Sequence, residues 1–184
     1  MLVLEYANEG NLRDYLEKNS ALEWNYKIQM ALDIASGLKF LHSKEIIHRD
    51  LHSKNILVNN GKLLIADFGL SKKWTEVTTN SKGNLYGMKE YIEPQRFKNI
   101  EYKKDKKSDI YSLGVLLWEI SSGRPPFPGY PRDILVVQIS CFNLREVPIE
   151  GTPSKYQQLY QKCWDGEPKS RPDIEVVYET LSQL

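Results

Sequence analysis

The sequence predicts a mainly α-helical α+β unit with one small β-hairpin, and three observations carry that reading. Between Trp24 and His42, apolar residues recur at Ile28, Ala31, Ile34, Ala35, Leu38 and Leu41, the spacing of one helix face. Between Ser108 and Ser122, apolar groups fall on nearly every face (Ile110, Tyr111, Leu113, Val115, Leu116, Leu117, Trp118, Ile120), as in a helix buried all round. Two apolar runs, Ile56-Leu57-Val58 and Leu63-Leu64-Ile65-Ala66, flank Asn59-Asn60-Gly61-Lys62, and an Asn-Gly pair between such runs signals a hairpin.

The remaining elements follow along the chain. Leu2-Val3-Leu4 reads as a strand end. Residues Asn11 to Leu16 read as a short helix, with Asn11 suited to the N-cap and Asp14 in the first turn, where the helix dipole favours an anion. The stretch from Ser71 to Tyr86 is polar and without period, the mark of a long loop that is functional or disordered. Gly123-Arg124-Pro125-Pro126 ends the buried helix. Further helices are predicted over Arg132–Ile139, Ser154–Cys163 and Pro172–Leu181, with Pro172 at a first-turn position. No repeat or linker divides the chain, so one unit is expected.

Composition excludes other classes. With 41% hydrophobic and 27% charged residues over 184 positions, the chain can bury a core and is neither disordered nor low in complexity. Its 25 Lys+Arg against 24 Asp+Glu leave a net charge of +1, so no basic field draws in nucleic acid or an anionic membrane. Cys141 and Cys163 make no disulfide framework and lack metal-ligand spacing, which suits a reducing compartment such as the cytoplasm. The opening Met1-Leu2-Val3-Leu4-Glu5 is too short for a signal peptide, and Ile134-Leu135-Val136-Val137 is far short of a membrane span.

Two clusters carry chemistry: His48-Arg49-Asp50-Leu51-His52-Ser53-Lys54-Asn55, and Asp67-Phe68-Gly69 just past the hairpin. Together, in this order, they resemble the catalytic loop and metal-binding triplet of the protein kinase family. The resemblance covers the whole chain. Ser108-Asp109-Ile110-Tyr111-Ser112-Leu113-Gly114 and Trp118-Glu119 resemble the family's central buried helix. Cys163-Trp164, Pro168, Arg171 and Pro172 resemble its closing helices, in the style of the tyrosine-kinase-like and tyrosine kinase groups. The resemblance implies an α+β protein kinase-like fold in two lobes. Residues 1–10 would be the end of the fifth strand and the hinge, and 11–184 the mainly helical C-lobe.

That resemblance implies transfer of the γ-phosphate of ATP to a Ser/Thr or Tyr hydroxyl of a protein substrate. Such transfer needs in-line positioning and cancellation of negative charge more than covalent help. Asn55 and Asp67 would hold Mg²⁺, a hard cation that takes oxygen ligands. Asp50 would orient the acceptor hydroxyl and take its proton, and Lys54 would face the γ-phosphate. Glu5 and Ala7 would meet adenine through their backbone, Leu57 would floor it, and Leu4 would be the gatekeeper. Asn11 would cap its helix or touch the ribose, the cap being favoured. His48 is expected as a packed histidine near Phe68 rather than the base. The bland alternatives are a turn-forming Asp50, a loop-bracing Asn55, a turn-capping Asp67 and a surface Lys54.

The departures from the family pattern bear on function. No Gly-rich loop, third-strand Lys or partner Glu stands in the sequence, so the small N-lobe is expected to be missing and the chain to be a fragment. Such a fragment, exposing Leu57, Phe68 and Leu2–Leu4, would self-associate, bind Mg-ATP weakly and need the N-lobe as a partner. His52 stands where Ser/Thr kinases carry Lys, Lys54 where tyrosine kinases carry Arg, and Met88 where Ser/Thr kinases carry Thr. Glu93-Pro94-Gln95 replaces Ala-Pro-Glu, so Gln95 cannot neutralise Arg171, at a cost of about 3–5 kcal/mol unless Glu93 compensates. These departures favour the runner-up, a non-catalytic pseudokinase or half-kinase scaffold that binds protein partners. Arg49 beside Asp50 implies regulation by phosphate on the following loop, at Thr75, Thr78, Thr79 or Ser81. Lys98, Lys103, Lys104, Lys106 and Lys107 are expected to form a solvated face.

Overall fold

The computed structural model describes residues 7–19, 21–73 and 87–184. The expected strand at Leu2–Leu4, the Glu5 contact and the hydroxyls of Thr75, Thr78, Thr79 and Ser81 lie outside the described residues.

Helix α1 (Leu12–Lys18) begins at Asn11, whose side-chain oxygen accepts from the Asp14 amide. Helix α2 (Trp24–Ser43) buries the predicted stripe, with Ala31, Ile34, Ala35 and Leu38 shut from solvent. A short strand β1 (Ile46–Ile47) follows. The hairpin is β2 (Ile56–Asn59) with β3 (Lys62–Ile65), paired Ile56↔Ile65 through Asn59↔Lys62. Asn60 and Gly61 both take positive φ (51° and 72°), as the tight hairpin turn demands. β4 (Lys72–Lys73) pairs antiparallel with β1.

Helix α3 (Pro94–Lys98) and the buried α4 (Lys106–Ser122) follow, then α5 (Arg132–Cys141), α6 (Ser154–Cys163) and α7 (Ile174–Ser182). Asp105 and Ser108 form a reciprocal capping box at the start of α4, and Gly123 ends it in the left-handed region. α4 is the axis of the molecule: α2 and α6 pack on it, and α7 lies on α2. Its Leu113, Leu116, Leu117, Trp118 and Ile120 join α2, α6 and α7 in one core.

Where α4 meets α6 the approach is too close for a side chain. A β-carbon on Gly114 would stand 2.8 Å from the Trp164 amide nitrogen and 2.9 Å from Cys163 Cβ. Gly114→Ala is expected to cost about 1–3 kcal/mol by overpacking, measured by urea unfolding.

Three expectations are corrected. Pro172 precedes the N-cap Asp173 rather than entering the first turn of α7; the first-turn proline is Pro94, in a helix too short for periodicity to reveal. The lysine run is a solvated face only in part: Lys98 and Lys103 are exposed, but the other three are engaged. Lys104 donates to the Arg49 carbonyl at 2.6 Å, Lys107 to the Arg171 carbonyl at 2.5 Å, and Lys106 pairs with Glu45 at 2.8 Å. The unpatterned stretch after Gly69 holds β4, since a two-lysine strand pairs through backbone alone.

Cys141 is exposed and Cys163 buried, where burial pushes its thiol up to about 12. A native thiol titration should therefore count a single fast-reacting cysteine, and the second should react only on unfolding. Among the described residues, no helix is long and apolar enough to cross a membrane.

Candidate active site

The hairpin brings the two motifs together. Asn55 immediately precedes β2 and Ala66-Asp67 follows β3, so the Ile56↔Ile65 pairing sets them side by side. The Ala66 amide donates to the Asn55 carbonyl at 2.8 Å, extending the ladder by one bond. The Asn55 side-chain NH₂ donates to the Asp50 carbonyl at 3.0 Å, which leaves its amide oxygen as the group available to a cation. Asp67 sits at φ 60° with Oδ1 accepting from the Gly69 amide at 3.1 Å, and its residue is exposed.

A residue that sequence reasoning gave no role anchors the loop. Asp109, buried at the start of α4, accepts from the backbone amides of His48 (2.9 Å) and Arg49 (2.8 Å) and meets His42 Nε2 at 2.9 Å. These bonds hold Arg49 at φ 72°, a left-handed conformation that a non-glycine residue adopts only when its surroundings impose it. The signal was present in the sequence: a carboxylate inside a segment otherwise apolar all round needs buried donors.

Asp50 is half-buried. His52 Nε2 lies 3.6 Å from its Oδ2. That histidine holds the carboxyl below the usual carboxylate range, helped by Lys104 and His48 and opposed by burial. Lys104 is itself pushed down by burial and pulled up by Asp50. Lys54 is exposed, with no partner among the described residues. His48 is fully buried, its Nε2 3.0 Å from the Ala66 carbonyl and its ring edge-on to Phe68 at 5.5 Å, the packed arrangement expected of it.

On the other side of β2, the Glu9 amide donates to the Val58 carbonyl (3.1 Å) and the Val58 amide to the Gly10 carbonyl (2.8 Å). Asn11 bridges to Leu57, so these two residues share one edge. The Asn11 amide is engaged at both ends with Asp14, whose carboxylate accepts its NH₂ at 2.8 Å, which is the cap and not a free polar hand.

Two buried polar clusters flank the loop. Arg13 on α1 donates to Glu119 (2.5 Å) and Ser53 (3.1 Å) through Nε and to the Tyr91 hydroxyl (2.9 Å) through Nη2; Tyr91 in turn donates to Glu119. Burial pushes the Glu119 carboxyl up and the opposing Arg13 pulls it down. Tyr91→Phe would leave a buried carboxylate oxygen short of a donor, an expected loss of about 1–3 kcal/mol in chemical unfolding. The second cluster settles the Gln95 question. Glu93, not Gln95, pairs with the fully buried Arg171 at 2.7 Å and also accepts from Ser108, while Gln95 donates to the Gly166 carbonyl at 3.3 Å.

Among the described residues no group of three His, Cys, Asp or Glu side chains could cage a metal alone. One amide oxygen and one carboxylate, Asn55 and Asp67, fit a hard cation that completes its shell with phosphate oxygens and water.

Comparison with known proteins identifies the family. The profile of the family described as "Protein tyrosine and serine/threonine kinase" matches residues 1–181. The chain is 34% identical over 186 residues to the serine/threonine/tyrosine-protein kinase HT1 of Arabidopsis thaliana, covering 99% of this chain and 46% of that protein. It is 34% identical to the dual specificity testis-specific protein kinase 2 of Rattus norvegicus, covering 98% and 32%, and 32% identical to the megakaryocyte-associated tyrosine-protein kinase of Mus musculus, covering 99% and 35%. It thus spans less than half the length of these relatives. With both motifs, their hairpin and the profile in register over nearly every residue, the chain belongs to the protein tyrosine and serine/threonine kinase family.

Proposed function

We propose that these residues are the C-lobe part of a working catalytic domain, one that moves the γ-phosphate of ATP to a protein hydroxyl with Mg²⁺. The observation that supports it is Asp109 pinning the His48 and Arg49 amides, with the Asn55 side chain bonded to the Asp50 carbonyl and the hairpin bringing Ala66-Asp67 back beside Asn55. Asp50, ionised and half-buried, is the acceptor-side base: it orients the hydroxyl and takes its proton. Asn55 and Asp67 would hold the Mg²⁺, which would neutralise charge on the phosphates when bound. Lys54, exposed one residue before Asn55, would supply a cation to the γ-phosphate. Ala7, Leu57 and the Asn11 edge receive the nucleotide, together with Glu5.

The scaffold reading drew on the missing N-lobe, His52, Met88 and Gln95. The Glu93–Arg171 pair removes the Gln95 ground alone, because the buried cation keeps a carboxylate partner. Phosphorylation within Thr75–Ser81, pairing with Arg49, is the proposed control; a phosphate brings about −1.5 to −2 charge to that pairing. Mass spectrometry of the active full-length protein should find it there.

The metal assignment is tested by titrating Mg²⁺ at fixed ATP in the full-length protein and its Asp67→Asn variant. Losing a ligand should weaken metal-dependent nucleotide binding by at least about 10-fold, the lower end of what even outer-shell losses cost. An unchanged Mg²⁺ requirement would overturn the role of Asp67.

A further inference from the structure

The Asp50 carboxylate is covered from two directions, and one cover is a glycine. Oδ2 faces His52 at 3.6 Å. Oδ1 faces Gly87, whose φ of +112° lies in the region that glycine alone enters freely. A β-carbon on Gly87 would stand 2.6 Å from Oδ1, well inside a normal carbon–oxygen contact of about 3.3–3.6 Å. The next nearest atoms, Asp50 Cγ and Ile92 Cδ1, are 3.8 Å away, so the conflict is with the carboxylate alone.

The chain on either side of this contact is anchored. Gly87 leads into the turn Lys89–Tyr91, and Tyr91 is locked by Arg13, Ser53 and Glu119. On the other side, His48 and Arg49 are pinned by Asp109, and the Asp50 carbonyl by Asn55. With the backbone anchored on both sides, a β-carbon on Gly87 fits only if the Asp50 carboxylate turns away from its present orientation.

We propose that Gly87 is a positioning residue for Asp50: its missing side chain lets the 87–92 segment close onto Oδ1 and fixes how the carboxylate faces the incoming hydroxyl. This rests on the reading of Asp50 as the acceptor-side base.

The test is Gly87→Ala in the full-length protein, with a protein or peptide acceptor. The kcat for the acceptor should fall roughly 10–100-fold, in line with the cost of ångström-scale misplacement. The KM for ATP should stay within about twofold, since Asn55, Asp67 and Leu57 are untouched by a displacement on the acceptor side. Gly151→Ala is the control: it too has a positive φ, +79°, but its β-carbon meets nothing within 4 Å. Its turnover should be unchanged. Wild-type kcat in Gly87→Ala, or an equal loss in Gly151→Ala, would overturn the proposal.

A thermal double-mutant cycle keeps it testable should Gly87→Ala fold poorly. The drop in melting midpoint caused by Gly87→Ala should shrink in an Asp50→Ala background, where the carboxylate is gone. Equal drops in both backgrounds would contradict it. The underlying assignment is read separately: full turnover by Asp50→Asn sinks the base itself, whereas an inactive Asp50→Asn beside a fully active Gly87→Ala sinks only the positioning role.

Discussion

Asp50→Asn in the full-length protein is expected to lower kcat at least about 10²-fold, the usual minimum for losing a general base. The substitution is nearly isosteric, so the loop should keep its shape: Asp109 still holds the His48 and Arg49 amides, and Asn55 still bonds the carbonyl of residue 50. What disappears is the acceptor for the hydroxyl proton and the negative charge that His52 and Lys104 sense. ATP affinity should hardly move, because in the proposed function Asp50 serves the acceptor and Asn55 and Asp67 serve the metal. Quenched-flow kinetics separate the two: the expected result is a slowed chemical step with intact nucleotide binding, and unchanged turnover would remove Asp50 from the mechanism.

The largest effect on stability is expected at Glu93. Glu93→Ala would strand a guanidinium that is fully buried, and breaking a buried pair from one side costs about 3–5 kcal/mol. For a domain of this size each kcal/mol moves the melting midpoint by about 2–4 °C, so a fall of roughly 6–20 °C should follow. The remaining Arg171 bonds, to the carbonyls of Asp165 and Lys107, supply dipoles but no charge. The double variant Glu93→Ala/Gln95→Glu restores a carboxylate two residues on and should recover part of the loss. A Glu93→Ala midpoint close to wild type would mean that solvent or another anion compensates Arg171.

That ion pair also shows what the sequence could and could not reveal. The departure at Gln95 was visible, and so was Glu93 as a possible substitute; which of them reaches Arg171 depends on how the segment before α3 turns over α4. The hairpin was legible because Asn60-Gly61 dictates its turn and the turn dictates its register, and that register puts Ala66 opposite Asn55 with Asp67 next in the chain. Helix α4 was legible from its apolar surroundings, but its start at Lys106 was set by the Asp105–Ser108 capping box, two polar residues in a lysine-rich stretch. Residues whose partners lie far along the chain were hidden. Arg13 and Glu119 meet across 106 positions, and Asp109 reaches back 61 positions to the His48 amide. Lys104 and Lys107 read as surface charge until the fold put carbonyl acceptors beside them.

The central claim is that Asp50, Asn55 and Asp67 form a phosphotransfer site and not a scaffold's relic. The most direct measurement supplies the full-length protein with Mg-ATP labelled at the γ-phosphate and with acceptors bearing serine, threonine or tyrosine. The account predicts label on an acceptor hydroxyl, dependent on Mg²⁺ and lost in Asp50→Asn. Nucleotide bound at the site, with no label reaching any acceptor or the protein itself, would contradict it.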